Sequence, residues 1–234
     1  MSDAAEPLTC TIEDGVAVLR LDDGKANVVS HRLLELLHES LDRAEAEATA
    51  VAIVGRPGRF SAGFDLSVMG QGMDAARALV GGGGRMLMRV FTHPQPVVAA
   101  VTGHALAAGA LLALACDTRI GADVPAKIGL NETAIGMGLP VYALALAEAR
   151  VPAAYLTRSA IQGEVFDAAT AIEAGYLDRL VPAEECEAAA IDEARRLGAL
   201  PASAYRHTKR ALRQPIAERV LAGLDADMLV MLPG

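Results

Sequence analysis

The sequence predicts an α/β fold built on a parallel-rich sheet. Short β-branched runs alternate with stretches of helical spacing, a strand, helix, strand pattern occurs twice in the first two thirds, and the last third turns mostly helical. Residues 8 to 13 and 15 to 22, LTCTIE and GVAVLRLD, meet at Asp14-Gly15, a pair that favours a tight hairpin. After the loop DGKANVV, Ser30 can cap a helix in which Leu33, Leu37, Leu41, Ala44 and Ala48 recur at helical spacing. AVAIVG then reads as a buried strand. PQPVVAAVTG repeats the pattern after a second helical stretch, runs into ALAAGALLALA, and returns as the strand DTRIGA. Such units favour right-handed crossovers. Gly81 to Gly84 reads as a mobile loop.

From about Pro152, Ala, Glu and Arg dominate, with breaks expected at Gly163, Gly175, Pro182, Pro201 and Pro215. Only YLDRLVP, residues 176 to 182, reads as a strand there. With 234 residues, no internal repeat and no long linker, the expectation is one domain, residues 1–182 forming the core and 183–234 a helical region of the same unit.

Composition narrows the function. A net charge of −8 and the lack of a basic run interleaved with aromatics argue against nucleic acid. Lys25, Arg56, Arg59, Lys209, Arg210 and Arg213 can still hold the phosphates of a small ligand. No apolar run reaches the roughly 18 residues of a membrane span. The opening MSDAAEPLT has neither a secretory nor a transit pattern, so a cytoplasmic location is expected. Three cysteines, Cys10, Cys116 and Cys186, at wide spacings support neither a disulfide framework nor a zinc site. No metal is expected.

Three segments can carry chemistry. In GRFSAGFDL, residues 58 to 66, small residues after a strand let backbone approach a ligand and leave the Phe64 amide to donate. A tight turn explains the segment as well. It is no nucleophile elbow, because Arg59 stands where the first glycine is needed, and a serine hydrolase built on Ser61 has poor support. In TGHALAAGALLALACD, residues 102 to 117, a helix of small residues would aim its first amides and dipole at a developing oxyanion, or would merely pack closely. His104 reads as a packed polar residue. In GLNETAIGMGLP, residues 129 to 140, Asn131 can cap a short helix with Glu132 in its first turn. Glu132 is then a dipole partner, or a general base if it faces an apolar cavity. Asp117 and Arg119 can pair, and Glu184 to Glu187 read as a solvated helix start.

Taken in order, the three segments resemble the crotonase (enoyl-CoA hydratase/isomerase) superfamily over nearly the whole chain. FSAGFDL is similar to the F-x-A-G-x-D-[LI] element, VVAAVTGHALAAGALLALACDTRIGA to the element around P-x-[IV]-A-A-[IV]-x-G, and GLNETAIGMGLP to the G-x-P-E element. The resemblance implies a spiral of ββα units with a helical C-terminal region used in trimerisation, giving a homotrimer or a dimer of trimers. It implies an acyl-CoA thioester as substrate, coenzyme A being part of that substrate and no separate cofactor being needed. It implies an oxyanion hole from the amides of Phe64 and Ala108, Glu132 as acid/base, and CoA contacts near Lys25, Ala26, Val28, Ala62, Asp65 and Leu66, with Lys209 meeting the phosphates.

Two departures bear on the reaction. Hydratases of the family carry a second glutamate one turn after the oxyanion amide, where this chain has Leu111, so that position is left as an acyl contact. Their water-holding amide falls where Pro140 stands, and proline has no N–H. One glutamate shuttling one proton suffices to move a double bond, so isomerisation in fatty-acid or related acyl-CoA metabolism is favoured over hydration. The rival reading is a catalytically weak acyl-CoA binding protein.

Overall fold

The computed structural model describes residues 6–232. Strands β1 (Leu8–Glu13) and β2 (Val16–Leu21) form the hairpin, closed by Asp14 at φ 48° and Gly15 at φ 81°, as a two-residue turn of this hand requires. A short β3 (Val28–Val29) leads to α1 (His31–Glu47), whose first turn is capped by the Ser30 hydroxyl accepting from the Leu33 amide at 3.2 Å. Then follow β4 (Ala50–Val54), β5 (Gly58–Ser61), β6 (Gly63–Phe64), α2 (Leu66–Met69) and α3 (Met73–Thr92). The middle of the chain adds β7 (Val97–Val101), β8 (Gly103–Leu106), α4 (Ala108–Ala115), β9 (Thr118–Ala122), β10 (Ile128–Gly129) and α5 (Val141–Arg150). The last third holds α6 (Ala153–Leu156), β11 (Val165–Phe166), α7 (Ala168–Glu173), β12 (Arg179–Val181), α8 (Cys186–Gly198) and α9 (Ala202–Met231).

The main sheet runs β1-β2-β4-β7-β9-β12, parallel except for the opening hairpin. Its inner strands β2, β4, β7 and β9 are buried on both faces, and successive residues divide between two cores. Val51 and Ile53 of β4 join the large core with α1 and α3, while Ala50, Ala52 and Val54 pack on Ala190 and Ala194 of α8. A second sheet, β11-β10-β8-β5, and the parallel pair β3-β6 stand beside it. The exits of β5, β8 and β10 carry the three chemistry-bearing segments. Among the described residues, no helix is long and apolar enough to cross a membrane.

Three expectations are corrected. Gly81 to Gly84 is no mobile loop: all four residues lie inside α3, Gly81, Gly83 and Gly84 being buried. Each glycine in a helix costs about 0.5–1 kcal/mol against alanine, so packing must favour the run. Pro215 does not break α9. It lies on the exposed side, as does Ala211, the residue whose carbonyl loses its helical partner. Asp117 and Arg119 do not pair with each other. Arg119 donates to Asp178 at 2.6 Å, and Asp117 accepts from Lys209 and forms an ion pair with Arg213. The apolar end of α9 is divided: Leu229 and Val230 are exposed, but Leu224 and Met228 are buried on the chain's own α3 and α5 side.

Candidate active site

The strand exits open on a cavity of about 480 Å³. Its wall is mostly apolar, with Val80 from α3, Met137 from the approach to α5, Tyr142 from its first turn, and Met231 and Leu232 from the end of α9. The far end of α9 is tied in place by two contacts. Asp227 accepts from the Val141 amide at 2.8 Å, and Arg77 donates to the Leu232 carbonyl at 2.9 Å. Large apolar cavities with few polar groups are the usual form of a ligand site.

Glu132 sits where β10 gives way to a single 3-10 turn, Thr133–Ile135. It is 8% exposed, lines the cavity, and its Oε2 has no hydrogen-bond partner. Burial pushes its carboxyl up to about 7, because desolvation disfavours the charged form and no cation stands near to restore it. Asp65 is the other carboxylate in the wall, and it is occupied: it caps α2 by accepting from the Ser67 amide at 2.8 Å and from the Ser67 hydroxyl at 2.6 Å. The Ser67 hydrogen bond holds Asp65 below its ordinary range. Glu132 is thus the one desolvated carboxyl among the described residues of this wall.

The first and second strand exits approach closely at Gly63, which has φ 94°. A Cβ there would lie 2.9 Å from the Ala107 Cβ and 3.4 Å from the Ala108 nitrogen, so glycine is required. Ala108 opens α4, whose own bonds begin with the Leu111 amide donating to the Ala107 carbonyl, so the Ala108 amide has no acceptor within its helix. Ala107 and Phe64 both line the cavity. His104 is a packed polar residue, its Nδ1 accepting from the Lys127 amide at 2.8 Å.

The predicted site residues divide. Val28, Ala62, Phe64, Asp65, Leu66 and Glu132 line the cavity together. Lys25 and Ala26 are outside that wall. Lys25 is exposed, its carbonyl accepting from Arg56 at 2.7 Å, and the Ala26 carbonyl accepts from the Ala62 amide. Leu111 is corrected as a contact: its side chain, 1% exposed, is in the core and not in the cavity wall. Lys209 is corrected as well. Its ammonium is buried, donating to Asp117 at 2.6 Å and to the Gln95 carbonyl at 3.0 Å, and it does not border the cavity. Asn131 does not cap the turn after it; its Oδ1 is buried without a partner in the same cavity wall. Reading the sequence missed Tyr142, wholly buried with an unpartnered hydroxyl, and the closing residues Met231 and Leu232. Only the unusual apolar end of α9 gave a signal for the last two. Among the described residues no three His, Cys, Asp or Glu side chains are grouped to hold a metal.

This is an enzyme of the crotonase fold, with a preformed cavity served by three strand exits. The chain belongs to the enoyl-CoA hydratase/isomerase family, whose model matches residues 11–231. It is 32% identical to human enoyl-CoA delta isomerase 1, mitochondrial, over 92% of this chain and 72% of that protein. It is also 32% identical to a probable enoyl-CoA hydratase of Bacillus subtilis, over 82% of this chain and 74% of the relative. Among solved structures it is similar to an enoyl-CoA hydratase/isomerase family protein from Pseudomonas syringae, at TM-score 0.94 and 37% identity, covering 98% and 100% of the two chains. The structure of human mitochondrial delta3-delta2-enoyl-CoA isomerase matches at TM-score 0.92 and 30% identity, covering 97% and 90%.

Proposed function

We propose that the chain isomerises the double bond of an enoyl-CoA thioester, with Glu132 as its single proton shuttle. The observation that carries this reading is the solitary state of Glu132: buried, without a partner, pushed up to about 7, and facing an apolar cavity. Glu132 takes a proton from C2 of a 3-enoyl thioester, and the charge passes to the thioester oxygen. The amides of Phe64 and Ala108 receive that oxyanion. Glu132 then returns the proton to C4, leaving the 2-enoyl product and no net change in the enzyme.

Hydration needs a second group to hold and activate water. Leu111 of α4 supports its absence, being an apolar side chain buried in the core, and Pro140 offers no N–H. The cavity residues Val28, Ala62, Asp65 and Leu66, with Lys25 and Ala26 beside them, are proposed to meet the CoA portion. No separate cofactor enters the reaction. The chain is further proposed to act as one domain in the cytoplasm, in fatty-acid or related acyl-CoA metabolism. Its exposed Leu212, Leu221, Leu229 and Val230 support assembly into a homotrimer or a dimer of trimers. The test is turnover by the purified protein of matched 3-enoyl- and 2-enoyl-CoA substrates. Faster isomerisation than hydration is expected, whereas faster hydration overturns the isomerase reading. Tight binding without either turnover would leave a ligand clamp.

A further inference from the structure

The glycine run of α3 is not uniform. A Cβ on Gly81 would meet Arg85 Nη1 at 3.5 Å and Met228 Cγ at 3.6 Å, and one on Gly82 would meet Leu34 Cδ1 at 3.4 Å, all ordinary contacts. A Cβ on Gly83 would stand 2.4 Å from Cε1 and 2.5 Å from Cζ of Phe64. A Cβ on Gly84 would stand 2.5 Å from Cδ1 and 2.7 Å from Cε1 of Tyr142. Two aromatic rings therefore rest on bare helix backbone at adjacent positions, and both belong to residues of the cavity wall.

From this geometry we infer that Gly84 sets the length of acyl chain the enzyme accepts, through Tyr142, and that Gly83 sets its rate, through Phe64. The inference rests on the acyl-CoA reading above. The Tyr142 side chain is wholly buried and closely packed, with Leu224 also at its Gly84 side, and the free space it borders is the cavity. A methyl at position 84 pushes the ring into that space and shortens the chamber for an acyl chain. At position 83 the consequence differs. The void beside Gly83 is about 10 Å³ and is lined by both Phe64 and Ala108, the residues whose amides are assigned to the oxyanion. That void cannot receive a displaced ring, and a ring turned towards the main cavity, which Phe64 also borders, moves in beside the thioester; either way a methyl at position 83 disturbs the Phe64 amide and its aim. Gly83 and Gly84 act through the rings and are positioning residues.

The experiment compares the four single Gly→Ala variants of the full chain, measuring kcat and KM for a length series of 3-enoyl-CoAs and affinities for saturated acyl-CoAs that cannot react. Gly81→Ala and Gly82→Ala should keep the wild-type length profile and raise Tm by about 2 °C each. Gly84→Ala should keep short-chain turnover and lower the long-to-short ratio of kcat/KM by about 10-fold or more, the discrimination one methylene commands. Gly83→Ala should lower kcat by about 10²-fold at every length, as misaimed catalytic groups do. Should either fail to fold, Tyr142→Leu must move the preference towards longer chains, and Phe64→Leu must lower kcat without changing the length profile. A functional wild type whose length profile is unchanged in Gly84→Ala, or in Tyr142→Leu, overturns the inference while leaving the acyl-CoA reading standing. A wild type that neither binds nor turns over any acyl-CoA overturns both.

Discussion

Two carboxylates sit inside this protein in opposite circumstances. Asp117, at the corner between α4 and β9, accepts from Lys209 at 2.6 Å and from the Val97 amide at 2.7 Å, and forms an ion pair with Arg213 at 2.8 Å. Arg213 also donates to the Phe91 carbonyl and lies over the Phe91 ring, so the cluster ties the start of β7 and the end of α3 to α9. Glu132 has none of this. Its Oε2 is buried without a partner and its neighbours in the cavity are mostly apolar. The cost of burying charge is met at Asp117 by two cations and left unmet at Glu132, where the carboxyl stays close to neutral instead. Paired burial ties elements together, and unpaired burial leaves Glu132 with the raised pKa that the proposed proton shuttle requires.

The largest expected effect separates the two by activity. Glu132→Gln should lower isomerisation by about 10²- to 10⁴-fold, the range of a general base, with the far-UV spectrum unchanged. Asp117→Asn should do the reverse. Removing its charge leaves Lys209 and Arg213 buried with no counter-ion, a loss of about 3–5 kcal/mol in denaturant unfolding, while kcat per folded molecule holds.

The next effect concerns stability against pH. Glu132 has a folded pKa of about 7 against an ordinary 4.5, so the unfolded chain releases its proton first as pH rises. Stability from this group is full below pH 4.5 and is lost as pH climbs to about 7. At about 1.4 kcal/mol per pH unit, the ionised group costs about 3 kcal/mol. Glu132→Gln should therefore be more stable than wild type by about that amount at pH 8, and the gap should close below pH 4.5. Denaturant curves across that range check it. The smallest effect is at Lys209. Burial pulls its ammonium down to about 8 despite Asp117, which pulls it up. Lys209→Met should cost about 1–2 kcal/mol, since Arg213 still pairs Asp117, and should leave CoA affinity where it is. Weaker CoA binding would return Lys209 to the phosphate site.

What could be read from the sequence was local. The Asp14-Gly15 turn and the Ser30 cap are fixed by residues within four positions of each other, and both formed as expected. The three strand-exit segments were legible because small residues and a glutamate at a helix start are short-range patterns, and five of the site residues within them, Ala62, Phe64, Asp65, Leu66 and Glu132, share one cavity wall. Misreadings came where distant chain decides. Nothing within the run Gly81 to Gly84 reveals that rings from positions 64 and 142 need its bare backbone. Lys209 and Arg213 looked free for phosphates because Asp117, about a hundred residues earlier, is not visible as their partner from spacing. Tyr142 has no pattern at all until Glu132 and α3 are placed around it.

The pH profile of kcat/KM for 3-enoyl-CoA isomerisation tests the claim about Glu132 most directly, because it reports the free enzyme's essential base. An acid limb with a midpoint at about 7, absent from whatever activity remains in Glu132→Gln, is the expected result. A limb near the ordinary value of 4.5, or a Glu132→Gln variant with undiminished activity, would contradict it.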